Sequence, residues 1–183
     1  IRPFKFVFEN YDSTSDGRLY VPLIIKEEIT QFYYQKDPEK EKKIVLAQKV
    51  SGIEQAQISN LLNIVMNEMD VYENELTVSG FNFMLPFADG AWFKYRFYII
   101  DSTQNNQEEW VYHLGFAPNI KGELAFLGEA WIHAPTFAIQ KIELKIEKNT
   151  NLNFVNDFTI SQDFEFIDKK YWVKVKDRST SGV

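Results

Sequence analysis

The feature that most constrains this chain is a series of two-residue alternations through its second half. Residues 154–166 set Phe154, Phe158, Ile160, Phe164 and Phe166 against Val155, Asp157, Thr159, Ser161, Asp163 and Glu165. Successive side chains of a strand point to opposite faces, so this pattern predicts a strand with one apolar and one wet face. Ile142, Leu144 and Ile146 alternate in the same way with Lys141, Glu143, Lys145 and Glu147. Phe137 and Ile139 fall on the other parity, which predicts a bulge near Gln140.

The period recurs upstream and downstream. Phe93, Tyr95, Phe97 and Ile99 alternate with Trp92, Lys94, Arg96, Tyr98 and Ile100, and Trp110, Tyr112, Leu114 and Phe116 alternate with Val111, His113, Gly115 and Ala117. Leu124, Phe126, Gly128, Ala130 and Ile132 alternate with Ala125, Leu127, Glu129, Trp131 and His133. Asp168 and Lys169 make a tight turn into Tyr171, Val173 and Val175, with Trp172, Lys174 and Lys176 opposite. Only short turns separate these segments, whereas parallel neighbours need crossovers of about a dozen residues. An antiparallel meander is therefore expected.

The first half carries helical spacing. Ile58, Leu61, Leu62, Val65 and Met69 recur on one helical face, and Ser51 with Glu54 fits a capping box. A second helix is expected over 22–34, with Pro22 in its first turn and Ile25, Ile29, Phe32 and Tyr33 inward. Residues 43–50 fit a strand or a helix, with the strand favoured because Gly52 follows so soon, and 76–85 read as another strand. The predicted fold class is α+β: a curved antiparallel meander of about seven or more strands, with two or more N-terminal helices packed on one face. It is expected to form a single domain over 1–183, with 1–70 mainly helical and 75–178 the meander.

Composition narrows the chemistry. A net charge of -6 leaves no surplus to neutralise phosphates, so nucleic acid is not an expected partner. No apolar run approaches the roughly 18 residues of a spanning helix, so the fragment itself is not expected to cross a membrane by that route. The absence of cysteine removes disulfides, thiol nucleophiles and thiolate metal sites. Because the chain begins at Ile1 rather than Met, it is expected to be a mature or excised fragment.

Candidate chemistry is sparse. Asp12-Ser13-Thr14-Ser15-Asp16-Gly17 has the outline of a calcium loop, but Leu23 stands where a bidentate Glu is needed, so a polar turn is expected. His113 and His133 lie on predicted strands without metal-ligand spacing around them, and structural or surface roles are expected. Adjacent acids such as Glu27 with Glu28 and Glu108 with Glu109 diverge and read as solvated charge. Lys40, Lys42 and Lys43 are interleaved with Glu39 and Glu41, so their net field is small. No catalytic residue, metal site or cofactor is expected. The functional hint is aromatic: 16 Phe, 9 Tyr and 4 Trp. If helices cover one face of the sheet, then Trp92, Tyr98, Trp131 and Trp172 sit on or beside a second, partly apolar surface that could bind a ligand. The competing expectation is that these rings are simply core and amphipathic edge.

Three stretches carry a resemblance. Glu123-Leu124-Ala125-Phe126-Leu127-Gly128-Glu129-Ala130-Trp131-Ile132, then Thr136-Phe137-Ala138-Ile139, then Asn151-Leu152-Asn153-Phe154-Val155-Asn156-Asp157 are similar in order and spacing to a family of Bacteroidetes outer-membrane proteins of unknown function. The likeness extends to Phe8-Glu9-Asn10-Tyr11-Asp12-Ser13 and Lys49-Val50-Ser51-Gly52-Ile53-Glu54, and departs at His133-Ala134-Pro135, where the family prefers acidic or polar turn residues. The resemblance implies a periplasmic middle portion, between a carboxypeptidase-regulatory-like sandwich and an outer-membrane β-barrel, whose partner is the remainder of that protein. It supplies no catalytic residues. A helix across a curved meander also resembles the half-barrel of periplasmic lipoprotein carriers, which implies an acyl chain or other hydrophobic ligand; a likeness of architecture does not fix function. Three readings follow: a non-enzymatic binding or scaffolding module, a hydrolase whose carboxylates converge only in three dimensions, and purely structural packing against the rest of the full-length protein.

Overall fold

The computed structural model describes residues 12–13, 19–20, 24–52, 69–78, 80–146, 150 and 157–182. The chain divides into two compact units, Ile1–Met66 and Asn67–Val183. In the first, β1 (Asp12–Ser13) pairs antiparallel with β2 (Leu19–Tyr20), and β3 (Ile24–Lys36) pairs antiparallel with β4 (Glu39–Gly52). β3 and β4 form a long two-stranded hairpin with a bulge between Ile29 and Thr30, exposing Ile29, Tyr33, Val45 and Leu46.

β3 overturns the helix expected over 22–34. Ile25, Ile29 and Tyr33 are spaced by four, a spacing that keeps residues on one face of a helix and equally on one face of a strand. Ile24, Ile25, Ile29 and Thr30 are β-branched, and Phe32, Tyr33 and Tyr34 are aromatic, so the segment prefers the pleated state once β4 supplies a partner. β4 itself contains the strand expected at 43–50. The other expected helix, that of Ile58 to Met69, falls largely on 53–68, outside the described residues. Among the described residues there is no α-helix, and none long and apolar enough to cross a membrane.

In the second unit, β7 (Tyr95–Gln104), β8 (Trp110–Pro118), β9 (Phe126–His133), β10 (Ala138–Ile146), β11 (Asp157–Ile167) and β12 (Tyr171–Gly182) form one six-stranded sheet in the order β12-β11-β10-β9-β8-β7. Every neighbouring pair is antiparallel and consecutive in sequence. The antiparallel order is the one the alternation predicts, but the sheet holds six strands rather than the seven or more expected, because 76–85 folds into a separate hairpin; the bulge expected near Gln140 lies between Ile139 and Lys141. Asp168 and Lys169 both have φ of 52°, with Lys170 N–H donating to Ile167 O over 3.0 Å, the left-handed turn that matches the twist of a hairpin.

Alternation decides which face is buried. Ile142, Leu144 and Ile146 are buried while Lys141, Glu143 and Lys145 face outward, and Phe126, Ala130, Ile132, Phe158 and Ile160 share the inner face. Each such side chain contributes roughly 1.5–3 kcal/mol on burial. Among the described residues no helix covers this face, contrary to the α+β expectation. The cover is irregular chain and a small hairpin: residues 69–91, including β5 (Glu75–Val78) and β6 (Phe81–Met84). The single strand expected over 76–85 is split because Gly80, at φ 82°, turns the chain back on itself.

Three polar anchors fix the cover. The Tyr95 hydroxyl donates to Met84 O at 2.5 Å and accepts from Phe126 N–H at 2.9 Å. The Tyr72 hydroxyl accepts from Ile139 N–H at 3.0 Å. Buried Gln162 donates from Nε2 to Met69 O at 2.8 Å. Between the anchors Phe83 meets Phe126 with centroids 5.1 Å apart, beside fully buried Leu85 and Val71. The face on which a lipid-carrier-like chain would hold an acyl tail is packed with the chain's own side chains.

Candidate functional site

Strands β7 and β12 are the two edges of the main sheet, and their chemistry differs. β12 carries Lys174, Lys176, Asp177 and Arg178, charges of the kind that discourage further pairing. β7 carries Phe97, Tyr98, Ile99 and Ile100 in succession, all exposed, Ile99 to 71 %. Its charges in this stretch are Arg96 and Asp101, and Asp101 turns toward His113. Trp110 and Tyr112 on β8 extend the exposed apolar area. A bulge between Ile99 and Asp101 interrupts the ladder with β8, so the regular part of the edge is Tyr95 to Ile99.

The outward face of the sheet holds a transverse row. The His113 ring stacks on Trp131 at 4.2 Å and 13°, and Lys141 Nζ stands 4.6 Å from the Trp131 ring centroid. His113 and Lys141 come from the strands on either side of β9, so Trp131 has neighbours toward both β8 and β10. His113 Nε2 is 2.9 Å from Glu129 Oε2 and Nδ1 is 3.5 Å from Asp101 Oδ1, while Lys141 reaches Glu143 at 2.8 Å. A Trp contacted from both sides is held as a structural element and has little free face for a stacking ligand.

A third cluster sits where three hairpins of the meander end. His133 is 2 % exposed, with Nε2 3.0 Å from Glu109 Oε2 and Nδ1 2.8 Å from Thr136 Oγ1. A carboxylate only accepts, so Nε2 carries a proton, and in the neutral ring Nδ1 accepts from the Thr136 hydroxyl. Trp172 Nε1 donates to the same hydroxyl at 3.0 Å. Asn105 shapes the first turn: Oδ1 accepts from Gln107 N–H and Glu109 N–H, and Nδ2 donates to Glu109 Oε2 at 3.2 Å. The hydrogen bond from His133, then that from Asn105, holds the Glu109 carboxyl below its ordinary value of 4.5. Phe166 stacks on Trp172 at 5.0 Å, and both lie against the His133 ring.

The four aromatic residues singled out in the sequence do not form one surface. Tyr98 and Trp131 share the outward face, where the Tyr98 ring lies over Gly115. Trp172 belongs to the His133 cluster. Trp92 precedes the sheet in a single 3-10 turn, Ala91–Phe93, so β7 begins three residues later than its alternation suggests. Phe97, Ile99 and Ile100 were not singled out, because apolar alternation cannot tell a central strand from an edge. Glu109, read as solvated charge, proves to be the acceptor for a buried histidine; the signal available was that alternate turns of a meander share one end. Most of the Asp12–Gly17 stretch lies outside the described residues, and among the described residues no group of three or more His, Asp or Glu side chains could hold a metal ion.

Comparison with curated proteins and with solved structures returns no match. A family model does match, over residues 4–182. That covers nearly the whole chain, which therefore belongs to the family of unknown function DUF5686.

Proposed function

We propose that this chain is a non-enzymatic binding or scaffolding module of a larger outer-membrane protein, working in the periplasm, and that its partner is an extended apolar segment added to the edge of β7. The observation that carries this reading is the contrast between the two edges: β12 is charged, whereas β7 exposes Phe97, Tyr98, Ile99 and Ile100 beside backbone groups that no described strand pairs. An incoming strand would gain main-chain hydrogen bonds from the edge and specificity from alternate side chains. The packed inner face favours such a segment over an acyl chain held within the fold. The test is a photo-crosslinking amino acid at position 99 in the full-length protein. Cross-links to one discrete segment support the reading, and a position that stays uncrosslinked in the membrane-assembled protein refutes it.

A hydrolase is the competing reading, favoured by the line Thr136 hydroxyl, His133 imidazole and Glu109 carboxylate. Its surroundings support a latch between turns instead. Trp172 N–H already occupies the hydroxyl, and the nearby backbone donors are spent: Phe137 N–H on His133 O and Ala134 N–H on Trp110 O. Neither of these two amides can then stabilise an oxyanion. Covalent labelling of Thr136 by a fluorophosphonate probe would reverse this preference.

A further inference from the structure

The opposite end of the main sheet, away from the His133 cluster, presents an apolar tip that the edge-binding reading does not use. Gly90, at φ 76°, starts the 3-10 turn; Ala91 is buried and the next two side chains are thrown outward. Trp92 is 67 % exposed and Phe93 71 %, their rings stacked with centroids 3.4 Å apart. The β8–β9 loop is fastened to this turn: Asn119 N–H donates to Lys94 O at 2.8 Å, and Asn119 Nδ2 donates to Phe93 O at 2.9 Å. This fastens the loop that carries Ile120, 64 % exposed, to the turn that carries the aromatic pair. Two loops are thus clamped so that three large apolar side chains project together into solvent, an arrangement that burial in the core does not explain.

The tip's charge also runs against the chain's. Lys94 and Lys121 adjoin it in the chain and Arg96 follows at the start of β7, and none makes an ion pair among the described residues. The acids of the same loops are Asp89, exposed, and Glu123, whose Oε2 is buried. A protein of net charge -6 here shows an apolar point with a basic collar. Three convex side chains are far short of the roughly 800 Å² per partner that a stable protein interface buries. They suit a fluid surface that a Trp can enter to headgroup depth while cations meet anionic lipid.

We propose that the tip formed by Trp92, Phe93 and Ile120 inserts shallowly into the interface of an anionic bilayer, with Lys94, Arg96 and Lys121 against its headgroups. The edge of β7 stays free in this mode, so the tip would anchor and orient the module while the edge binds its segment.

The test uses the chain as it stands and sedimentation with vesicles of phosphatidylcholine and phosphatidylglycerol in three-to-one ratio, against pure phosphatidylcholine. The wild type should bind the anionic vesicles and prefer them. The double variant Trp92→Ser with Phe93→Ser should lose at least about ten-fold in affinity, and Lys94→Ala and Lys121→Ala about five-fold for each cation removed. All these side chains project from the surface, so unchanged circular dichroism and thermal midpoint will certify the variants as folded. Brominated lipid should quench the wild type and quench Trp92→Phe much less. Absence of vesicle binding by the wild type, or equal binding by the double serine variant, overturns the proposal. So does a wild-type dimer that the double serine variant converts to monomer without any vesicle binding, which would make the tip a protein contact.

Discussion

Replacing Gly128 by alanine sets two effects against each other. Gly128 lies in β9, opposite Phe116 on one side and Leu144 on the other. Glycine in a strand interior is conformationally wasteful, so relief of chain entropy alone would make alanine stabilising by about 0.5–1 kcal/mol. The structure opposes this: a Cβ there would run into the Glu143 carbonyl oxygen and stand 2.9 Å from a Phe116 ring carbon. The carbonyl belongs to the β10 backbone and Phe116 is fully buried, so neither can yield without moving the ladder. Overpacking of this kind costs typically 1–3 kcal/mol, occasionally more. Because the overlap is with backbone, the upper end of that range applies, and after the entropic gain is subtracted the expected net effect is a loss of about 2 kcal/mol, which at roughly 4 °C per kcal/mol is a fall in Tm of about 8 °C. Gly115→Ala is the internal control: there the atoms nearest the Cβ belong to the exposed Tyr98 side chain, which can swing away, so the result should lie within about 1 kcal/mol of wild type. Urea denaturation followed by circular dichroism measures both. A neutral or stabilising Gly128→Ala, or equal losses at the two sites, would refute the claimed close approach of β9 to β10.

Three further outcomes follow from particular contacts. Tyr95→Phe strands Met84 O and buried Phe126 N–H and should cost about 1–3 kcal/mol, with faster hydrogen exchange across β5 and β6 as the local readout. Lys169→Gly relieves a non-glycine residue held at φ 52° in the β11–β12 turn and should stabilise by roughly 1 kcal/mol in thermal melts. Glu109 supplies a pH dependence: a carboxyl held below its ordinary 4.5 contributes stability that is complete above that value and is lost as pH falls through the lowered one. Urea midpoints of the wild type should therefore drop over this acidic window, and those of Glu109→Gln should drop less; parallel profiles would mean that the His133 contact is not formed in solution.

The strands of the main sheet were legible because each carries its own period-two pattern and each is half wet, as Ile142 to Ile146 shows. β3 was misread because Ile25, Ile29 and Tyr33 satisfy both periods; only the partner strand β4, beyond the reach of a local window, decides between them. The cover of the inner face was misassigned for a related reason. Gly80 turns what reads as one strand into a hairpin, and Val71 and Leu85 bury themselves from irregular chain that has no period to detect. The clusters were less legible still. Glu109, His133, Thr136 and Trp172 lie on three different hairpins, and pairing them needs the strand order and register. Trp92 stands out in the sequence as one of four aromatic residues of a second apolar surface, but with Phe93 and Ile120 it becomes a tip only through Asn119, a contact between loops that composition does not announce.

The central claim is that the edge of β7 is open in this module and filled in the assembled protein. Hydrogen exchange read at the amides of Arg96 to Ile100 tests it most directly, in the isolated chain and in the full-length protein in its membrane. The account predicts that the outward-facing amides of this stretch exchange quickly in the isolated chain and become strongly protected in the full-length protein, while those of β9 are protected in both. Equal, rapid exchange along the β7 edge in both forms would contradict it.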